Sequence, residues 1–308
     1  MEMRMPIAAV VVTYNRKEEL RKNLRAVLGQ THLVDRYYII DNHGSDGTEA
    51  MLRAEGLLDN PVVEYVYLPE NSGGAGGFYT GVKMAYEAGF DYICLMDDDG
   101  RPADDRMMAR LWETAQQLHT ENPKLMLNSL VLDLDGERMA FGLTGINSKE
   151  EACVQAKAGI LYGTINPFNG TLISRELVTE IGLPNRDFFI KGDEEDYQLR
   201  ATNAGALIAT VTDSVYLHPI AEKKVVRIGR KEFRETTEAP WKEYYRARNL
   251  TYIFRREGKN GLWIRHVIRQ SLLALRHGDK KMKTVCRIMK GCMHGLSGNL
   301  GRTVEPGN

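Results

Sequence analysis

The chain has 308 residues, 43% of them hydrophobic and 27% charged, with 41 Lys and Arg against 41 Asp and Glu. That composition is ordinary for a globular protein and excludes a disordered or fibrous chain, and the length suits one large α/β domain plus a smaller appendage. No apolar run approaches the roughly 18 residues a membrane-spanning helix needs, no signal peptide precedes the first strand-like run, and the four scattered cysteines lack zinc-type spacing, so a cytoplasmic protein is expected.

Ile7–Thr13 is a continuous apolar run rich in β-branched residues, the pattern of a strand buried on both faces. Lys17–Leu28 places Leu20, Leu24, Val27 and Leu28 at helical spacing, and Gly29 stops it. Tyr37–Ile40 is expected as the second strand, Thr48–Glu55 as a helix, and Val62–Leu68 as the third strand. Gly77–Ala88 is expected as a helix and Tyr92–Met96 as the fourth strand. This alternation predicts a mostly parallel sheet with helices on both faces. The middle, 125–162, mixes short strands and loops. Beyond it, Leu172–Glu180 and Asp193–Ala204 read as helices and Leu207–Thr212 as a strand leading toward His218. Trp241–Arg255, Leu262–Leu275 and Lys280–Met293 read as helices.

In such sheets ligands sit beyond the carboxyl ends of the strands. Polar clusters fall at four consecutive strand ends: Thr13-Tyr14-Asn15, Asp41-Asn42, Asn71–Gly74 and Asp97-Asp98-Asp99. The acidic triplet carries the most chemistry. Three carboxylates closing a buried strand repel one another and lose hydration, a cost that a divalent cation on a diphosphate relieves. Alternation along a strand lets Asp97 and Asp99 face one site while Asp98 faces elsewhere. The alternative is an acidic turn on a solvated loop. Asp41 can accept from a base or ribose, or simply close a turn, since 41–48 is rich in turn formers. The run Gly73–Gly77 lacks the Gly-Lys-Ser/Thr ending of a P-loop; its glycines allow a ligand or a strand to come close, or make a plain turn. Asp193–Asp196 is a second acidic cluster at a helix start, either a base for a sugar hydroxyl or charge complementing the helix dipole. His218 alone reads as structural unless the fold brings it to the triplet.

Taken together, these residues resemble the inverting family-2 glycosyltransferases. Thr13-Tyr14-Asn15-Arg16 is similar to the first-strand signature of that family, and Asp41–Thr48 to its Asp-Asn-x-Ser-x-Asp-Gly-Thr loop. Asn71–Gly81 is similar to its Asn-x-Gly loop, Asp97-Asp98-Asp99 to its Asp-x-Asp metal motif, and Asp193–Arg200 to its acidic base motif. A narrower resemblance is to bacterial galactofuranosyltransferases and rhamnosyltransferases, through Phe189–Tyr197, Asn169-Gly170 and the Tyr-Tyr-x-x-Arg-Asn segment Tyr244–Asn249. Gly192 stands where those enzymes have Trp, and Glu194 where they have Asp.

The resemblance implies a GT-A fold over residues 1–255; beyond it the residue pattern itself predicts a basic amphipathic helical appendage over 256–296 and a Gly-rich, flexible tail over 297–308. It implies Mn²⁺ or Mg²⁺ on Asp97, Asp99 and His218, and a nucleotide-sugar donor held by Thr13, Arg16, Asp41, Asn71 and Asp98. Glu194, or else Asp193, becomes the catalytic base, with Asn169 and Asp196 on the acceptor side. UDP-galactofuranose is the first expected donor and dTDP-rhamnose the second, with a glycan or lipid-linked acceptor in bacterial cell-surface polysaccharide synthesis. The alternatives are a sugar-phosphate nucleotidyltransferase and a non-catalytic glycan-assembly partner. Residues 255–302 carry twelve Lys and Arg against two Asp and Glu. Their apolar stripe is expected to lie on an anionic membrane surface at the inner face of the plasma membrane, or to pack on the catalytic domain or a second copy of the chain. Nucleic acid is not an expected partner, since interleaved aromatics are few.

Overall fold

The computed structural model describes residues 5–220, 224–228, 231–235, 238–277 and 281–307. Two compact units divide the chain: residues 1–184 with 197–220, and residues 185–196 with 221–308.

The first unit is built on β1 (Ile7–Thr13), whose seven residues are all buried. It lies between β2 (Arg36–Asp41) and β4 (Tyr92–Asp97), parallel to both, and β2 pairs in parallel with β3 (Val63–Tyr67). Ile7, Ala9 and Val11 share a core with Leu20, Leu24 and Val27 of α1 (Lys17–Leu28) and with Met107, Met108 and Leu111 of α4 (Met107–His119). Ala8, Val10 and Val12 point the other way. They pack with Phe78, Val82 and Ala85 of α3 (Gly73–Glu87), with Leu177 and Val178 of α6 (Arg175–Ile181), and with Tyr197 and Ala201 of α7 (Asp193–Asn203). Burial on both faces is why β1 reads as a continuous apolar run rather than an alternating one.

The remaining strands are β5 (Arg101–Pro102), β6 (Leu125–Leu132), β7 (Ile160–Tyr162), β8 (Thr171–Ser174) and β9 (Leu207–Leu217); α2 (Thr48–Ala54) and α5 (Lys149–Gln155) are short helices. The sheet order is β3-β2-β1-β4-β8-β6-β9-β5, with β7 also on β9. The expected parallel sheet holds from β3 through β4. Beyond it β8 runs antiparallel to both β4 and β6, and only β6 and β9 pair in parallel. The sheet is therefore mixed.

Residues 172–174, expected at the start of a helix, belong to β8. Leu172 and Ile173 are buried between two strands, and the helix begins only at Arg175, where the Ser174 hydroxyl accepts from the Leu177 N–H at 3.3 Å. A short apolar run fits either period, and packing decides it. The helix expected from Gly77 starts four residues earlier. A Cβ built on Gly77 would lie 2.4 Å from Val12 Cγ1, and one on Gly81 2.2 Å from Val10 Cγ1. The glycine run thus serves close approach of α3 to β1, the strand-contact reading of the sequence.

The second unit contains the antiparallel pair β10 (Lys224–Ile228) and β11 (Lys231–Glu235), and three helices: α8 (Pro240–Arg256), α9 (Asn260–His277) and α10 (Lys281–Ser297). Pro240 opens α8, where its missing N–H costs nothing. Ala247 of α8, Ala274 of α9, and Ile288 and Cys292 of α10 form one apolar cluster. Phe189, Tyr244, Tyr245 and Val304 form another. Residues 297–307, expected to fray, are instead pinned: Val304 is 5% exposed, and Tyr245 Oη donates to its carbonyl at 2.8 Å. Lys280, the expected start of the last helix, and Asn308 lie outside the described residues.

Candidate active site

Asp97 ends β4, and Asp98 and Asp99 form the turn that follows. The ligand atoms of Asp97, Asp99 and His218 all lie within 4.8 Å of one another. Asp98 turns away, as the sequence suggests, and is 6% exposed. Its carboxylate accepts from the Thr13 hydroxyl at 2.8 Å and from Arg16 Nη1 at 3.4 Å; Arg16 also binds Asp99. Burial pushes the Asp98 carboxyl up to about 7, although Arg16 and the Thr13 hydroxyl pull the other way. Burial would also raise Asp99, but His218 and Arg16 outweigh it and hold that carboxyl below the ordinary range.

His218 follows β9. Its Nδ1 lies 2.8 Å from the Pro219 carbonyl and its Nε2 3.1 Å from Asp99 Oδ1. A carbonyl only accepts, so Nδ1 carries the proton, and in the neutral ring Nε2 holds a lone pair. That lone pair faces a carboxylate, which also only accepts. A proton or a cation must stand between them, and orientation of a histidine by a carbonyl on its other nitrogen is how metal-binding imidazoles are held. Burial would lower this imidazole, yet the Asp99 carboxylate, with Asp97 beyond it, holds it above its ordinary value. Two hard carboxylates and one imidazole suit a divalent cation such as Mn²⁺ or Mg²⁺.

Behind the turn lies a buried polar knot that sequence reasoning missed. Tyr216 Oη donates to the Asp97 carbonyl at 3.0 Å, and Asn23 Nδ2 donates to the Gly100 carbonyl at 2.8 Å and lies 3.2 Å from Tyr216 Oη. Tyr37 Oη donates to Asn23 Oδ1. The knot ties α1, β2 and β9 to the backbone of the acidic turn, and Tyr216, which holds the Asp97 carbonyl, stands two residues before His218. One signal was available: Asn23 sits on the same helical face as Leu20, Leu24 and Val27, where an unpaired amide would be costly.

Asp41, at the end of β2, is also buried. Its Oδ1 accepts from the Gly44 N–H at 2.7 Å and its Oδ2 from Tyr65 Oη at 2.6 Å. Asn71 Oδ1 accepts from the Gly73 N–H at 2.9 Å and from Asn42 Nδ2 at 3.2 Å. Asn42, named in the sequence only as part of a polar cluster, also accepts from the Ser72 N–H at 2.8 Å, so it joins the ends of β2 and β3. The Asn42 N–H in turn donates to the Thr13 carbonyl at 2.9 Å. Thr13, Arg16, Asp98, Asp99 and His218 thus form one bonded cluster with the Asp97 carboxylate close beside it, and Asp41 and Asn71 are attached through the adjoining strand ends.

Asn169 belongs to the first unit and is 6% exposed. Its Nδ2 donates to the Pro167 carbonyl, and its Oδ1 is buried with no hydrogen-bond partner among the described residues. Asp193, Glu194 and Asp196 group with the second unit. Asp193 is 5% and Asp196 1% exposed, while Glu194 is half-buried and Glu195 open to solvent. The Asp196 carboxylate accepts from Arg256 Nη1 at 2.6 Å, so it faces a cation of its own fold rather than solvent.

A family model described as glycosyl transferase family 2 matches residues 8–124, the span that carries every residue of the bonded cluster except His218. Galactofuranosyltransferase GlfT1 of Mycobacterium tuberculosis is 32% identical over 270 residues, covering 84% of this chain and 86% of that protein. The chain belongs to glycosyl transferase family 2. A second relative of this family-2 glycosyltransferase is the dTDP-rhamnosyl transferase RfbF of Shigella flexneri, 25% identical over 89% of the chain and 88% of that protein. Among solved structures, the mannosyltransferase PcManGT of Pyrobaculum calidifontis, in complex with GDP-Man and Mn²⁺, aligns with a TM-score of 0.55 at 14% identity. That alignment covers 96% of this chain and 74% of that one, and it bears on the fold, which is GT-A. The nucleotidyltransferase alternative falls away with this membership. No helix among the described residues of the glycosyltransferase is long and apolar enough to cross a membrane.

Proposed function

We propose that the enzyme transfers galactofuranose from UDP-galactofuranose to a hydroxyl of a glycan or lipid-linked acceptor, in one in-line displacement that inverts the anomeric carbon. The observation that carries this reading is the convergence of Asp97, Asp99 and His218 beside the buried Thr13–Asp98–Arg16 cluster. Asp97, Asp99 and His218 would hold Mn²⁺ or Mg²⁺, which when bound offsets charge developing on the leaving diphosphate. Thr13, Arg16, Asp41, Asn71 and Asp98 hold the nucleotide. Asp41 and Asn71 do so from side chains already immobilised by Tyr65 and Asn42, which limits the entropy lost on binding. Glu194, or in its place Asp193, takes the proton from the acceptor hydroxyl, and Asn169 contacts the acceptor. The bond to Arg256 favours a positioning role for Asp196. The relatives support the donor choice, and RfbF supports dTDP-rhamnose as the second donor.

Calorimetry with UDP, dTDP and GDP, each with Mn²⁺ and with EDTA, tests the donor side. Binding of UDP that disappears in EDTA is the expected result. Preference for dTDP moves the donor to rhamnose, and binding that ignores EDTA removes the metal from the reading.

The same reading places the acceptor at a membrane surface. Ile264, Ile268, Leu272 and Leu275 of α9 are exposed at helical spacing, as are Met282, Met289, Met293 and Leu296 of α10. Neither helix contains an Asp or Glu, while Arg265, Arg269, Arg276, Lys281, Lys283, Arg287 and Lys290 flank the stripes. Exposed apolar side chains rimmed by cations fit an anionic bilayer. Flotation with phosphatidylglycerol vesicles is expected to carry the protein, less so as salt rises, whereas phosphatidylcholine vesicles leave it behind. Equal recovery with both lipids would overturn the electrostatic part, and no recovery with either would overturn the surface.

A further inference from the structure

The Tyr-Tyr-x-x-Arg-Asn segment of α8 has no part in the reaction just described, yet it is among the most buried polar sequences in the molecule. Arg248 and Asn249 are both fully buried. Asn249 Nδ2 is directed at three backbone carbonyls in succession: Phe188 at 2.9 Å, Ile190 at 3.1 Å and Lys191 at 2.5 Å. Its Oδ1 accepts from Arg248 Nε at 2.8 Å. Arg248 Nη2 donates to the Asp187 and Phe188 carbonyls at 3.1 and 2.9 Å, and Nη1 to the Gly301 carbonyl at 2.5 Å. The guanidinium also lies over the Tyr245 ring, 4.7 Å from its centroid.

The backbone they grip is not one the chain adopts freely. Phe189 has φ of 63°, Lys191 66° and Gly192 90°. Two non-glycine residues in the left-handed region within one short stretch are costly unless the surroundings enforce them. The next residue after this stretch is Asp193, and the Gly192 carbonyl already accepts the Asp196 N–H at 2.9 Å. One face of α8 therefore holds both sides of the first turn of α7. Asn249 fixes the chain entering it, and Arg256, seven residues along and so on the same face, binds Asp196 at 2.6 Å.

We infer that Asn249 and Arg256 are positioning residues for the Asp193–Glu194 carboxylates: they set the direction of the first turn of α7, and with it the reach of the base. This rests on the proposed role of those carboxylates. Neither residue touches substrate in this account. Removing either leaves the nucleotide and metal ligands intact and lets the acidic turn wander.

Asn249→Ala and Arg256→Gln test the inference, with Arg256→Lys as the conservative partner. Turnover of UDP-galactofuranose is read as UDP released, with water or an alkyl galactofuranoside as acceptor. A misplaced base is expected to cost on the order of 10²-fold in kcat. Mn²⁺-dependent UDP affinity should stay within about twofold of wild type, the Arg256→Lys enzyme should recover most of the activity, and the pH at which kcat reaches half its plateau should move in Asn249→Ala and Arg256→Gln. A merely structural role would lower the number of UDP-binding sites while leaving kcat per site and its pH profile unchanged, and that result overturns the inference. Should Asn249→Ala not fold, the two Arg256 variants decide it, because this side chain is half-exposed. Glu194→Gln and Asp193→Asn run alongside. If neither slows turnover, the base reading itself has failed; if one does and the α8 variants do not, only the positioning has.

Discussion

Replacing Asp97 by Ala is expected to abolish metal-dependent UDP binding and to lower turnover by about 10³-fold or more, while the protein stays folded. A metal on a leaving diphosphate supplies several kcal/mol of charge stabilisation, and each ~1.4 kcal/mol is a factor of ten in rate. The fold should survive for a reason visible in the bonding. The buried knot behind the turn grips the main-chain carbonyl of residue 97 through Tyr216, not its carboxylate, so that anchor remains when the side chain is cut back. The loss should also leave Arg16, Thr13 and Asp98 bonded as before. Calorimetry for Mn²⁺ and UDP, with circular dichroism as the folding control, measures both halves. Full activity in a folded variant would remove Asp97 from the proposed metal set.

Glu194→Gln is expected to produce the opposite pattern, with UDP and Mn²⁺ bound as in wild type and kcat reduced by about 10²–10⁴-fold, the usual worth of a positioned general base. Gln keeps the shape and the hydrogen-bonding reach of Glu but cannot take a proton at neutral pH. Glu194 is the first choice over Asp193 because it is half-buried, whereas Asp193 is 5% exposed, and a base must reach a hydroxyl brought from outside. Asp193→Asn is the comparison. If it falls by this margin and Glu194→Gln does not, the proton goes to Asp193 instead.

The parts legible from the residues were those in which local pattern and tertiary packing agree. β1 and α1 read to the residue because a strand buried on both faces is uniformly apolar, and because the amphipathic stripe of α1 ends at a glycine. Asp98 parts from Asp97 and Asp99 as alternation suggested, but it does so in a turn after β4 has ended rather than by the pleat of a strand. β8 was not legible. Its four residues are too few to show a period, and it is a strand only because β4 and β6 flank it. His218 gained meaning only through family resemblance, since nothing in its own neighbourhood announces the Asp99 carboxylate 119 positions earlier. Of the knot of Asn23, Tyr37 and Tyr216 only Asn23 gave a sign, by its place on the apolar face of α1; its partners were hidden for the same reason, because Tyr216 lies far away along the chain. The tail was misjudged because a Gly-rich composition says nothing of a tyrosine waiting to bind its carbonyl.

The stretch 185–196 folds with residues that the ribosome makes long afterwards. Arg248 needs the carbonyl of Gly301, and Tyr245 that of Val304, before the grip on residues 187–191 is complete. At a synthesis rate of about 5–20 residues per second, the acidic turn waits several seconds after it has left the exit tunnel. A chain that stalls before residue 301 would therefore carry the bonded Thr13–Asp98–Arg16 cluster before the grip on residues 187–191 is complete. Order in the acidic turn is thus tied to residues 301–304, more distant in sequence than any other part of its support.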